Sequence, residues 1–129
     1  MSTIVIEESQ RAGARAVLGL AGPSGEGKTF TALLLAYGLA GCDARKVGLL
    51  DAENKRGSLY SDILPGGARF RRGDLYAPFS PQRYIDAIKA FQAAGVEVLV
   101  IDSVTHEWEG PGGCEEIAHN TTKKTPDWI

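Results

Sequence analysis

Residues 22–29 read GPSGEGKT, with three glycines, a lysine and a threonine set between two apolar stretches. Glycine loses more backbone freedom on ordering than any other residue, so this density needs a chemical reason. The spacing Gly22-x-x-x-x-Gly27-Lys28-Thr29 is the P-loop pattern. Such a turn between a strand and a helix aims successive backbone N–H groups at an anion, and the helix start adds unpaired donors and partial positive charge. Gly22, Gly25 and Gly27 keep side chains out of that approach. Lys28 brings a mobile cation to the β- and γ-phosphates, and Thr29 brings a hydroxyl to Mg2+. The expected contact set is Gly22, Pro23, Ser24, Gly25, Glu26, Gly27, Lys28, Thr29 and Phe30. No guanine-reading motif is evident, so the nucleotide is taken as ATP, with Mg2+ as its cation. At average composition, a chain of this length carries the pattern by accident on the order of once in a few hundred. A strand before it and a helix after it lower that further.

Two later segments end in acid: LLDAE at 49–53 and VLVIDS at 98–103. Ligands of open parallel sheets sit at the carboxyl ends of the strands. Asp102 follows four apolar residues and would hold Mg2+ through water, the Walker B role. The alternative is an aspartate capping the next turn. Asp51 and Glu53 lie two apart and share a side of an extended chain. Hydrolysis needs a carboxylate that orients or deprotonates water. The longer Glu53 is assigned that catalytic role beside Lys28, with Asp51 in support. The alternative is a solvated acidic loop pairing with Lys55 and Arg56.

The remaining polar residues each have two readings. Ser103 and Thr105 reach Mg2+ waters or the γ-phosphate, or else bond nearby backbone. His106 and Glu107 sense the γ-phosphate or contact DNA, and Trp108 stacks on a base or anchors the EGPGG loop from inside. Arg69, Arg71 and Arg72 touch phosphates, serve a neighbouring subunit's nucleotide, or protect an edge strand. Lys123 and Lys124 belong to a DNA-contacting loop or a frayed terminus. His106, Cys114 and His119 fit no zinc spacing.

The elements that must hold these residues follow from the apolar pattern. RAVLGLA (15–21), KVGLLDAE (46–53) and VEVLVIDS (96–103) are short apolar runs, as for strands buried on both faces. ARFRRGD (68–74) reads as an edge strand. KTFTALLLAYGLA (28–40) is Leu- and Ala-rich and ends at Gly41, which predicts a helix. A second helix starts at Ser80–Pro81 and runs to Gly95, with Tyr84, Ile88 and Phe91 on its sheet-facing side. GSLYSDIL (57–64) suits one or two helical turns, and beyond residue 109 no regular element is expected. Alternation of strands and helices means a parallel sheet with right-handed crossovers. The 129 residues allow one domain, with 1–14 as an N-terminal arm and 110–129 as an irregular tail.

Bulk properties narrow the function classes. A content of 43% apolar and 23% charged residues suits a soluble globular protein, and the net charge of −2 gives no global basic field for nucleic acid. No apolar run reaches the roughly 18 residues of a membrane span. The acidic N-terminus lacks a signal-peptide pattern, and the two distant cysteines form no disulfide framework. The expectation is a cytoplasmic protein in a reducing compartment.

Together, GPSGEGKT, LLDAENKRGSLY and VLVIDS resemble the P-loop, glutamate-bearing strand end and Walker B strand of the RecA-like ATPase core. IDSVTHEWEGPGG and YAPFSPQRYIDAIKAF look like the phage-encoded RecA-like ATP-binding proteins of single-strand annealing and recombination. The resemblance implies an α/β three-layer sandwich with a mostly parallel sheet. It also implies Mg2+-dependent ATP hydrolysis with Glu53 as catalytic glutamate, single-stranded DNA as partner, homo-oligomers, no membrane, and the bacterial host cytoplasm. The family's strand after Walker B has no counterpart here, so the domain is expected to be a partial one. A P-loop small-molecule or nucleotide kinase, and a nucleotide-binding module that does not hydrolyse, are the competing readings.

Overall fold

The computed structural model describes residues 3–10, 15–22, 27–53 and 62–121. Its centre is β1 (Val47–Asp51), every residue of which is buried. A strand whose apolar residues point to both faces is stable only with both faces covered, as in a parallel sheet with helices on each side. β1 pairs in parallel with β2 (Arg71–Asp74) on one side and with β3 (Val98–Asp102) on the other, giving the order β2-β1-β3. The chain is therefore an α/β protein with a small parallel sheet. The ladders run on past the strand ends, where Leu75 N–H donates to Asp51 O at 2.9 Å and Ala52 N–H donates to Asp102 O at 2.8 Å. The outer strand β2 carries Arg71 and Arg72 exposed, charges that discourage pairing with another chain.

Two helices cover the sheet. α1 (Lys28–Leu39) packs on β1 and β3, with Leu33 and Ala36 joining Val47, Leu49, Leu64 and Phe70 in one core cluster. α2 (Pro81–Ala93) lies on the opposite face, where Tyr84 and Phe91 meet Leu50, Leu75, Phe79, Leu99 and Ile101. Both helices stop as the sequence predicts. After α1, Gly41 takes φ +68° and Cys42 N–H donates back to Tyr37 O at 2.9 Å. After α2, Gly95 takes φ +88° and Val96 N–H donates to Phe91 O at 3.0 Å. These left-handed caps return the chain to the sheet at minimal length. α2 opens with Ser80 Oγ accepting from Arg83 N–H at 3.3 Å and with Pro81 at its first position.

Several expectations are corrected. Residues 15–22 form no strand and are exposed, Val17 by 98%. An apolar run expresses a preference for burial but does not choose the edge that receives it, and no described residue pairs with the outer edge of β3. Ile88 is 41% exposed, since only the Tyr84–Phe91 side of α2 reaches the narrow sheet. A short helix α3 (Thr105–Glu109) ends just before the expected irregular tail, and the tail itself contains α4 (Cys114–Thr121). α4 escapes pattern reading because no residue in it is buried, while Glu115 and Glu116 favour its first turn by charge. Of GSLYSDIL, residues 57–61 lie outside the described residues; a short 3-10 turn follows at Pro65–Gly67. No helix among the described residues is long and apolar enough to cross a membrane.

Phe91 rests on a glycine floor. A Cβ at Gly48 would stand 2.8 Å from Phe91 Cδ1 and 3.0 Å from Val96 Cγ1, and one at Gly73 would stand 3.0 Å from Phe91 Cζ. Gly48→Ala is expected to destabilise the fold by about 1–3 kcal/mol through overpacking. Gly38→Ala, in an exposed helix position with open space around it, is expected to stabilise it by about 0.5–1 kcal/mol. Urea denaturation of the two variants against the parent checks both signs.

Candidate functional site

In-register parallel pairing sets Asp74, Asp51 and Asp102 side by side at the carboxyl end of the sheet. Each is handled differently. Asp51 is buried and its Oδ1 accepts from Glu53 N–H at 2.9 Å, which shapes the turn leaving β1. Asp74 stands 3.7 Å from Arg72 on the exposed edge. Asp102 receives a hydrogen bond from Thr29 Oγ1 onto Oδ2 at 2.7 Å, across 73 positions of sequence.

That last bond joins the glycine-rich segment to the sheet. Thr29 is buried in the first turn of α1, and α1 lies along β3, so the hydroxyl arrives at the strand end where Asp102 leaves the ladder. Gly27 caps the helix with φ +75°, a left-handed conformation that favours glycine. Lys28 Nζ donates to the carbonyl of Gly22. Phe30 is exposed on the outer side of α1. Pro23, Ser24, Gly25 and Glu26 lie outside the described residues, as do Lys55, Arg56, Lys123 and Lys124.

Glu53 stands two residues beyond β1. Its Oε1 accepts from Ser103 Oγ at 3.0 Å, and its Oε2 lies 3.7 Å from His106 Nε2. Ser103 is the residue after Asp102, so Glu53 is tied to the same turn that carries the Thr29 partner. Ser103 Oγ also accepts from Thr105 N–H at 3.4 Å, the local backbone bond expected of a turn hydroxyl. The His106 ring stacks on Phe79 with centroids 4.7 Å apart and planes 24° apart.

Sequence reasoning missed what supports this corner. The Tyr84 hydroxyl donates to Ser103 O at 3.1 Å, from α2. Burial, then the nearby Glu107 and Glu53 carboxylates, hold the Tyr84 phenol above its ordinary pKa. The EGPGG loop is pressed onto residues 78–79: Phe79 N–H donates to Pro111 O at 2.7 Å. A Cβ at Gly112 would stand 2.4 Å from Pro78 Cβ, and one at Gly110 would stand 2.9 Å from Phe79 Cδ2. The density of glycine in that loop was the available signal. Trp108, read as an anchor inside the loop, is instead 65% exposed, because α3 directs His106 rather than Trp108 at Phe79.

The oxygen pair of Thr29 and Asp102 has the chemistry Mg2+ prefers, hard donors supplied by only one or two side chains while phosphates and waters complete the shell. Among the described residues no group of three or more His, Cys, Asp or Glu is placed to hold a metal. Cys42 and Cys114 are free thiols. Comparison with protein-family models, with characterised proteins and with solved structures finds no match.

Thr29→Val keeps the shape of the buried side chain but removes the donor to Asp102, and is expected to cost about 1–3 kcal/mol in urea denaturation, with Thr29→Ser retaining most of the stability. Tyr84 has a higher pKa folded than unfolded, so the unfolded chain gives up the phenol proton first. Its contribution is full below the ordinary value of about 10 and is lost as pH rises through the folded value. Stability of the parent should therefore fall more steeply above about pH 10 than that of Tyr84→Phe, read from thermal melts across the alkaline range.

Proposed function

We propose that this chain is an ATP-binding, Mg2+-dependent ATPase of P-loop, RecA-like type, acting on single-stranded DNA in recombination or annealing of the phage-encoded kind. The observation that carries the reading is the 2.7 Å bond between Thr29 Oγ1 and Asp102 Oδ2. Two residues 73 positions apart, both assigned to the Mg2+ of one nucleotide, Asp102 on the strength of the P-loop upstream, meet at one point. The helix start at Gly27–Lys28, the glutamate at the neighbouring strand end and the parallel sheet support the same reading. The full fold in this reading is a three-layer sandwich. In it the outer edge of β3, with which no described residue pairs, takes a further strand. Assembly into homo-oligomers and a cytoplasmic site of action belong to the same proposal.

In the chemistry proposed, Thr29 and Asp102 would hold Mg2+, Asp102 through water, and the ion when bound offsets phosphate charge. The N–H groups at the start of α1 and the Lys28 ammonium bind the phosphate chain and take up charge that moves onto the β-phosphate side. Glu53 orients a water and accepts its proton as the new oxygen–phosphorus bond forms. The bond from the γ-phosphorus to the bridging oxygen breaks, its electron pair leaves on ADP, and phosphate is released. Asp51 fixes the backbone of Glu53 through the 2.9 Å bond to its N–H.

Phosphate release in the presence of Mg2+, with and without single-stranded DNA, tests the reading. Turnover should rise with DNA. Glu53→Gln should lose about 100-fold or more in kcat while still binding ATP, the usual cost of removing a general base. Lys28→Ala should lose ATP binding by calorimetry. Parent protein that binds no ATP, a Glu53→Gln variant as active as the parent, or phosphoryl transfer to an added acceptor in place of water would overturn it.

A further inference from the structure

We propose that Ser103 and His106 are positioning residues for Glu53, and that the EGPGG loop sets where His106 stands. The inference rests on the ATPase reading above for the role of Glu53. The contacts themselves are independent of it. A carboxylate that must deprotonate one water has to hold a fixed direction, yet Glu53 sits past the strand end with a long, partly exposed side chain. The structure engages each of its oxygens separately. Ser103 Oγ donates to Oε1 at 3.0 Å, and His106 Nε2 lies 3.7 Å from Oε2. The Ser103 hydrogen bond holds one oxygen, and the imidazole facing the other limits how far the carboxylate swings about that contact.

Both partners are in turn held from outside the turn. Ser103 is fixed through its carbonyl by the Tyr84 hydroxyl at 3.1 Å, which belongs to α2. His106 is held by its stack on Phe79, itself buried and bonded to Pro111 O at 2.7 Å. The loop can lie this close only because its glycines carry no side chains, as at Gly110 against Phe79 and Gly112 against Pro78. The titratable and charged groups around this corner include Glu53, His106, Glu107 and Tyr84, with Asp51 bonded to the Glu53 N–H and Asp102 next to Ser103. None of them except Glu53 is needed for proton transfer in the proposed reaction, so His106 acts through Glu53 and not on the substrate.

The test has two arms. In ring 15N–1H correlation spectra of the whole chain, the His106 signals, identified by their loss in His106→Gln, should move in Glu53→Gln. They should not move in Glu97→Gln, whose side chain pairs with Lys46 at the other end of the sheet. In steady-state kinetics, Ser103→Ala and His106→Ala should each lower kcat on the order of 10-fold with KM within about twofold. The double variant should approach the loss of Glu53→Gln. His106→Gln, which keeps an N–H donor, should recover most of the rate. Single variants with parental kcat, or His106 signals indifferent to Glu53→Gln, overturn the positioning role while the ATPase reading stands. Absence of turnover in the parent overturns that reading and the positioning role with it, and the ring spectra still decide whether the contact exists.

Discussion

Parallel pairing of β1 with both of its neighbours is the constraint on which the rest depends. In a parallel ladder every strand points the same way, so whatever residue ends each strand is delivered to the same rim of the sheet. Here those residues are Asp74, Asp51 and Asp102, in direct register across strands about 4.8 Å apart. An antiparallel partner at either position would have carried its acid to the opposite rim and dispersed the group. The ladder in turn depends on full burial of β1, which only helices on both faces can supply.

Gathering carboxylates has an electrostatic consequence. Like charges at neighbouring positions repel, and the chain offsets this with a different partner for each: a backbone N–H for Asp51, a guanidinium for Asp74 and a hydroxyl for Asp102. The hydroxyl comes from another layer of the fold, so the neighbourhood of Asp102 depends on where α1 sits. Glu53 extends the acidic rim outward, and its two partners come from the turn after β3 and from α3.

The parts of the fold legible in sequence were those governed by local chemistry. Ser80–Pro81 and the glycines at 41 and 95 marked helix limits that the caps reproduce, and the apolar runs at 46–53 and 96–103 enclose the paired strands Val47–Asp51 and Val98–Asp102. Residues 15–21 are as rich in apolar residues as those strands and yet stand exposed, because composition does not encode which edge accepts a strand. In the candidate site, the types and spacing of Lys28, Thr29, Glu53 and Asp102 suggested a shared task, and the Thr29–Asp102 bond brings two of them into contact. The supporting shell was not legible. Tyr84, Phe79 and the EGPGG loop are adjacent through packing between segments about 20 or more residues apart, which no periodicity records.

The aromatic ring of Phe91, seated over Gly48 and Gly73, acts as a shim between α2 and the strands. A helix is stiff over its length, and Tyr84 lies on the same side of α2 about 10 Å nearer its start. A thicker filling under Phe91 would therefore tilt the whole rod and lift the phenol away from the carbonyl of Ser103. The smallest residues in the sheet thus calibrate an alignment at its far rim, a mechanical lever whose fulcrum contains no polar side chain.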